Sequence, residues 1–480
     1  MTSSMTDPLG EKGSSGRLVS LLCIVFIACL PFSTVSHIGL LGNFDSNLSL
    51  YPFVPLFLIV LISGIFTRTL LQGGPEGDIL RTLFLMFIAV AVFTVINGFW
   101  LKSLGYSAYG LDPLHKSLVT SIVPLLIAAL YITTAALARY MEPGKLEAAL
   151  MLGFWLAVGY AGVQVMSYLV PNALYSAVWP WVEGAKDRGG VPYFSIYQRV
   201  NGPTSEPAEF VKTLLILYLP WIIYPLDGKI RWGKFVIVTV LTGASQSITG
   251  YVILAFVFAM LFFSGRVNFL LKASITYLVL TGLVLVVVTD GEILGGLSER
   301  LSRLGEDASA NVRAIYNLTA LQVAGENPLI GIGWSNEVFI FPQRLADAPY
   351  LWEIRQNLED GVALTAKSLL LRLLMYTGIP LFAIVLAVIV LKLVSGRLSG
   401  SRLDITRTRL TFMLLFIGGV VDGGIVTSFY IWAATALPLG YQMRRTAIID
   451  TARTSRRPTP SWKPARAGAD PVAAKSSLPA

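Results

Sequence analysis

Charge is what this sequence has least of. Only 14% of its residues are Asp, Glu, Lys or Arg, while 54% are hydrophobic and mean hydropathy is +0.67. Soluble domains carry roughly 25% charged residues, so a soluble globular enzyme is excluded and a polytopic membrane protein is implied. Cysteine is as scarce: Cys23 and Cys29 both sit in the first apolar run, so neither a disulfide nor a metal site is expected. Histidine is limited to His37 and His115, with no Cys or His cluster, which excludes zinc and leaves no cofactor to expect. There is no short-period repeat and no detachable soluble domain.

What is present is apolar and long. A spanning helix needs about 20 apolar residues. Runs of that kind fall near 18–41, 51–71, 79–100, 117–138, 146–170, 208–225, 233–248, 249–264, 269–289, 367–393, 409–422 and 425–442. The first is long and followed by others, which makes it an anchor rather than a signal peptide. The pairs 233–264 and 409–442 are short for two crossings; each is one long tilted helix or a hairpin broken at its polar centre. Lys and Arg concentrate on the cytoplasmic side of membrane proteins. Arg17, Arg68, Arg81, Arg139, Lys145, Arg231, Lys234, Arg266, Lys272 and the group from Lys392 to Arg409 share one side only if both pairs are hairpins.

The expectation is an all-α polytopic membrane protein with about twelve transmembrane helices and both termini cytoplasmic. It divides into a cytoplasmic segment 1–17, a membrane domain 18–443 and a basic, disordered cytoplasmic tail 444–480. The tail has eight basic residues against two acidic ones. The net charge of +9 therefore reflects topology and contact with anionic lipid, not a nucleic-acid surface.

Two polar segments then face outward, 171–207 and 291–366. The larger holds ten acidic residues against five basic, the sign expected outside. Within it Val312, Ile315 and Leu318 stand near helical spacing and predict a helix over 309–324, with Arg313 and Asn317 on another face. Residues 350–361 read as a short charged helix or turn. In the smaller segment, Glu206-Pro207 predicts a helix start. The two hairpin centres, 243–250 and 421–424, are small and polar. They line a cavity open to the outer face, or they are ordinary turns at the membrane surface.

Five pieces occur in a telling order. Arg199-Val-Asn-Gly-Pro-Thr-Ser-Glu-Pro207 precedes a span, and Thr242-Gly-Ala-Ser-Gln-Ser-Ile-Thr-Gly250 lies between two short ones. Asn311-Val-Arg313 and Asn327-Pro-Leu-Ile-Gly-Ile-Gly333 occupy the large loop, and Tyr376-Thr-Gly-Ile-Pro380 the next span. This order resembles the O-antigen polymerase and ligase superfamily of membrane glycosyltransferases over residues 190–395. No single piece is specific; the order together with the topology carries the resemblance. It implies a GT-C-like architecture and metal-independent transfer of a glycan from a polyprenyl-pyrophosphate carrier at the outer face of a bacterial inner membrane. A chain-length regulator and a flippase are the partners it implies.

A leaving pyrophosphate gains charge, so its site needs preorganised cations, and the guanidinium fork supplies bidentate charge-assisted bonds. Arg199 and Arg313 match the superfamily's external arginines and are the first candidates. Arg300 and Arg303 are further candidates, or part of a solvated helix with local ion pairs. Glu206 is the candidate base for an acceptor hydroxyl, with Glu209 second, although helix capping explains both. Ser245 and Ser247 either meet sugar hydroxyls or bond neighbouring carbonyls. Lys367 and Arg372 either snorkel to the surface or extend the pyrophosphate site. Gly331 and Gly333 permit close backbone approach, with a plain turn the simpler use.

Ligases of the superfamily, and many polymerases, carry a histidine near the end of the large loop. Here that region reads Arg355-Gln-Asn-Leu-Glu-Asp360. The expectation is therefore a polymerase of lipid-linked repeat units rather than a ligase. A transporter or flippase is the non-enzymatic alternative. Asp422 is its discriminating residue, because ionisable groups are otherwise scarce in the apolar runs.

Overall fold

In hydrocarbon every backbone N–H and C=O must find a partner within its own segment, so long apolar runs become helices. The computed structural model describes residues 14–33, 47–169, 199–264 apart from 205, 308–345, 352–359, 364–421 apart from 396, 397 and 399, and 424 and 428–455. Among these every regular element is a helix. The first are α1 (Ser14–Cys29), α2 (Leu50–Ile62), α3 (Ile65–Leu70), α4 (Pro75–Ser103), α5 (Pro113–Thr120), α6 (Ile122–Tyr140) and α7 (Pro143–Leu169). Next, α8 (Pro207–Lys212) continues through a π-helical turn, Thr213–Tyr218, into α9 (Leu219–Ile223), followed by α10 (Trp232–Ser245) and α11 (Ile248–Phe263). The C-terminal part has α12 (Ala308–Glu326), α13 (Glu337–Leu345), α14 (Trp352–Glu359), α15 (Leu369–Val394), α16 (Arg402–Val421) and α17 (Phe429–Ser455).

The core forms where α4, α6 and α17 meet. A Cβ at Gly440 would lie 2.1 Å from the Ala135 carbonyl oxygen, so α17 and α6 touch backbone to backbone. Small residues at such contacts let helices pack where lipid gives no hydrophobic drive for association.

Basic residues knit one end of the bundle. Arg139 donates to the Arg68 carbonyl at 3.3 Å, Lys392 pairs with Asp78 at 2.6 Å, and Arg409 donates to the Leu393 carbonyl at 2.7 Å. Arg231 pairs with Glu147. Arg407, fully buried against Asp404 at 3.2 Å, lies over the Trp221 ring at 4.2 Å. The opposite end collects the turns. Tyr430 donates to the Glu209 carbonyl at 3.2 Å, and Ser368 donates to the Gly419 carbonyl at the same distance.

Both short pairs are hairpins. Phe235 and Phe258 rings stand 5.5 Å apart across α10 and α11, and the Tyr251 hydroxyl reaches the Gly243 carbonyl at 3.2 Å. Gln246, with φ +47°, turns the chain between them. In the second pair, Asp404 of α16 and Gln442 of α17 flank Gly400 from the two arms.

Four stretches among the described residues are long and apolar enough to cross a bilayer: Pro75–Ser103, Pro113–Tyr140, Pro143–Met166 and Leu369–Val394. The chain is thus an all-helical membrane protein by length and composition of its helices. The four are fewer than the twelve expected from apolar runs, and the reasons are local. Ser63 and Gly64 split the second run into α2 and α3, and the π turn divides 208–225. With 14 and 16 residues, α10 and α11 reach only about 21 and 24 Å against a hydrocarbon core of about 30 Å. The first half of α16 carries Arg402, Asp404, Arg407 and Arg409. The run 269–289 lies outside the described residues. Helix α17 continues to Ser455, so the first part of the segment expected as a tail is helical, with no Gly or Pro between 443 and 455.

The Asn327–Glu337 segment is no plain turn. It inserts into a break in α15, where Pro380 lacks an N–H and Gly378 (φ +74°) departs from the helix. The carbonyls this frees are met from outside: Ile332 N–H donates to Met375 O at 2.8 Å and Gly333 N–H to Tyr376 O at 3.3 Å. In return, Ile379 N–H donates to Pro328 O at 2.7 Å. The other side of the segment is held by α4 and α5. The Trp334 N–H reaches Thr94 Oγ1 at 2.6 Å, Asn97 donates to Gly331 O at 3.2 Å, and Ser117 donates to Asn336 Oδ1 at 2.7 Å. Thr94 lies nine residues before the end of α4, about 14 Å along the helix axis.

A Cβ at Gly333 would stand 2.4 Å from Thr94 Cα, at a backbone φ of +72°. Gly333→Ala is expected to destabilise the protein by about 2–4 kcal/mol. Gly325, in α12, has open space around it, and Gly325→Ala should be neutral or stabilising by up to about 1 kcal/mol. Thermal unfolding of both variants in detergent checks this; equal shifts would contradict the docking.

Candidate functional site

The tip of the α10–α11 hairpin gathers the first group of sequence candidates. A helix leaves its last carbonyls unsatisfied, and cations favour that end. Arg199 fills the need: its Nε donates to Ser245 O and its Nη2 to Gln246 O, each at 3.1 Å. The neighbouring Val200 N–H donates to Ala244 O at 3.2 Å. The half-buried Arg199 is thus a cap on α10 as well as a surface cation. Ser245 donates back to Leu241 O at 2.8 Å, and Ser247 accepts the Gly250 N–H as the N-cap of α11. Both serines are buried. Their hydroxyls bond within the hairpin, one to a neighbouring carbonyl and one as a cap.

Beyond Arg199 the chain is clamped. Gln164 of α7 accepts from the Gly202 N–H at 2.9 Å and donates to Asn201 Oδ1 at 2.8 Å. Asn201 donates to Thr204 O at 2.8 Å, all within a buried shell. This rigid stretch delivers Glu206 to the N-cap position of α8, ahead of Pro207. Capping was one account of Glu206, yet its side chain makes no capping hydrogen bond and is exposed. The Glu209 carbonyl accepts from Thr213 at 2.9 Å, and Glu209 stands in the first turn of α8.

The second group surrounds α12 and the head of α15. Helix α12 forms where expected, but of Val312, Ile315 and Leu318 only Val312 is buried and Leu318 is exposed; the buried face is Val312, Tyr316, Ala320 and Val323, with Arg313 exposed. Asn317 Oδ1 accepts the Lys367 N–H at 2.9 Å, while Lys367 Nζ lies 5.4 Å from the Tyr316 ring centre. Asn357 of α14 donates to the Tyr316 hydroxyl at 3.3 Å.

Arg372 does not snorkel. Its Nε donates to the Tyr376 hydroxyl at 2.8 Å, and that hydroxyl donates to Glu337 Oε1 at 2.7 Å. Arg372 Nη2 stands 3.6 Å from the same carboxylate oxygen, with the two side chains 11% and 4% exposed. This is a buried ion pair with a phenol between its members. Glu337 Oε2 has no hydrogen-bond partner among the described residues.

The two groups lie at the same end of the bundle and are joined by α16, which packs against both α11 and α15. Arg300, Arg303 and Asp422 lie outside the described residues. The sequence reading missed Glu337, Asn336, Gln164 and Lys212, the last of them buried just before the π turn. A signal was available for some: Gln164, Thr94 and Asn97 are polar residues within apolar runs, which in lipid need partners. Among the described residues no cluster of three or more His, Cys, Asp or Glu could hold a metal ion.

Removing one member of a buried ion pair leaves the other charge uncompensated. Glu337→Gln is expected to lower stability by about 3–5 kcal/mol. Glu359→Gln, which breaks the exposed Arg355–Glu359 pair, should change it by less than about 1 kcal/mol. Chemical unfolding in micelles distinguishes them, and a silent Glu337→Gln would refute the pairing.

No protein-family model matches the chain and no curated protein matches it, so the chemistry is read from its own side chains.

Proposed function

We propose that this chain is a metal-independent membrane glycosyltransferase that polymerises polyprenyl-pyrophosphate-linked repeat units into exopolysaccharide or O-antigen. In this reading it lies in a bacterial inner membrane, with the basic end and both termini cytoplasmic and the hairpin-tip end outward. The full twelve-span count, a GT-C-like architecture, and a chain-length regulator and flippase as partners belong to the same proposal. The observation that carries it is that the α10–α11 tip, with Arg199 and the exposed Glu206, and the α12–α15 contact, with Arg313 and Lys367, both lie at the end opposite the basic one, where α16 packs against α11 and α15.

In the transfer, an acceptor hydroxyl attacks the anomeric carbon of the donor sugar, and the bond from that carbon to the pyrophosphate oxygen breaks. Glu206 takes the hydroxyl proton. Arg313 receives the leaving pyrophosphate, and Arg199 is the second cation of the proposal; Arg372, paired with Glu337, holds the head of α15 in place. Arg300 and Arg303 remain candidates for the same anion. The pyrophosphate is a good leaving group, so no general acid is needed. The absence of histidine from 355–360 favours chain extension over ligation.

One observation favours a transporter instead. Lys212 is an ionisable group buried inside the bundle beside a π turn, and such residues mark ion pathways in membrane proteins.

Arg313 is the clean test, because it is exposed and has no ion pair among the described residues. Arg313→Ala should keep protein levels yet cut polymer by about 100-fold, with single repeat units accumulating on the polyprenyl carrier, the outcome expected of a deletion strain too. Arg199→Ala should lose both polymer and folded protein, through the uncapped hairpin. Finished polymer accumulating on the carrier in the deletion strain would indicate a ligase. Unchanged lipid-linked sugar there, with transport lost in Lys212→Gln, would establish the transporter.

A further inference from the structure

The end of α4 and the stretch 326–344 line a half-open cavity of about 320 Å³. Neither the hairpin-tip residues nor the Glu337–Arg372 pair line it. Its walls carry Trp100, Tyr106, Asn327, Gln343 and the ion pair of Glu326 with Arg344 at 2.8 Å. The floor is fixed: Leu101 packs with Val338 and Phe339 in a small core of its own, and Asn97 is tied to the docked segment. The volume falls within the range of small-molecule sites, about 300–1,000 Å³.

Charge narrows the occupant. One carboxylate and one guanidinium cancel, so nothing in the walls selects a phosphate or an ammonium ion. A lipid tail would lay Gln343 and the Glu326–Arg344 ion pair against hydrocarbon, away from water, which costs free energy. Two aromatic rings beside planar amide, carboxylate and guanidinium groups suit a neutral ring rich in hydroxyls. An aromatic face takes the C–H side of such a ring. Flat donor and acceptor groups then meet neighbouring hydroxyls in pairs.

We infer that this cavity is a saccharide-binding subsite, holding a sugar ring of the glycan at a distance from the pyrophosphate. It rests on the transferase reading for its biological ligand, and it gives that reading a second contact with the growing chain. A second contact lets a polymerase keep hold of its product between transfers, because two linked contacts raise the effective concentration of each.

The test uses the full-length protein in lipid nanodiscs. The probe is an oligosaccharide mixture made by partial acid hydrolysis of the producing strain's own surface polysaccharide. Saturation-transfer NMR should show binding to the wild type, about tenfold weaker in Trp100→Ala and likewise reduced in Gln343→Ala. Trp100→Phe and the distant Arg355→Ala should bind as the wild type does. In cells, Trp100→Ala should shorten the polymer, whereas Arg313→Ala removes it. Both Trp100 and Gln343 are exposed, so truncation spares the fold.

No saturation transfer to the wild type, or equal transfer in Trp100→Ala, overturns the proposal. The transferase reading fails separately, if the deletion strain keeps its lipid-linked sugars unchanged. Binding that is lost in Trp100→Ala would still establish the cavity as a saccharide site in that case.

Discussion

The structure depends on one exchange of hydrogen bonds, between a broken helix and the segment that mends it. At Gly378-Ile-Pro380, α15 cannot close its own ladder, and in lipid an open carbonyl finds no water. Residues 328–333 supply the missing donors and receive one in return. The same segment satisfies Thr94 and Asn97 of α4 and, through Asn336, Ser117 of α5. The consecutive helices α4 and α5 and the sequence-distant α15 are thereby fixed around a strip of non-helical backbone. Glu337 is set beside Arg372 by that strip, and the walls of the cavity at the end of α4 are set by it too.

Much of the architecture was legible before any coordinates. Apolar runs report helices without ambiguity when charge is this scarce, and α12 and α14 stand where spacing and polarity put them. The two hairpins followed from the placement of Lys and Arg alone, and Arg68, Arg139, Arg231 and Lys392 do share one end. What failed to show was pairing across distance. Asn327–Gly333 reads as a turn because its hydrogen-bond partners, the carbonyls of Met375 and Tyr376, are set free by a proline some fifty residues later. Glu337 reads as a surface acid until Arg372 is placed beside it. The shortness of several helices has another cause: apolar runs do not reveal where a left-handed residue or a π turn divides a helix.

Arg199 shows why a candidate residue needs its surroundings. Its place in the sequence makes it a candidate anion ligand, and its geometry makes it the cap of a short helix. The two roles use the same guanidinium, so any loss caused by its removal mixes structure with chemistry. Among the described residues Arg313 has no such double duty, and it stands on a helix whose buried face packs against α15.

The docked segment also sets an order of events in time. Asn97 and Gly331 are 234 positions apart, so α4 leaves the ribosome long before its partner exists. Even once 327–337 has been made, the carbonyls it meets lie some forty residues further on and belong to a helix still to be inserted. Synthesis must therefore pass Pro380 before the segment can settle. Until then, Thr94 and Asn97 wait inside an otherwise apolar helix with only their own backbone to bond. The final shape of this end of the protein is thus acquired late, after most of its helices are already in place.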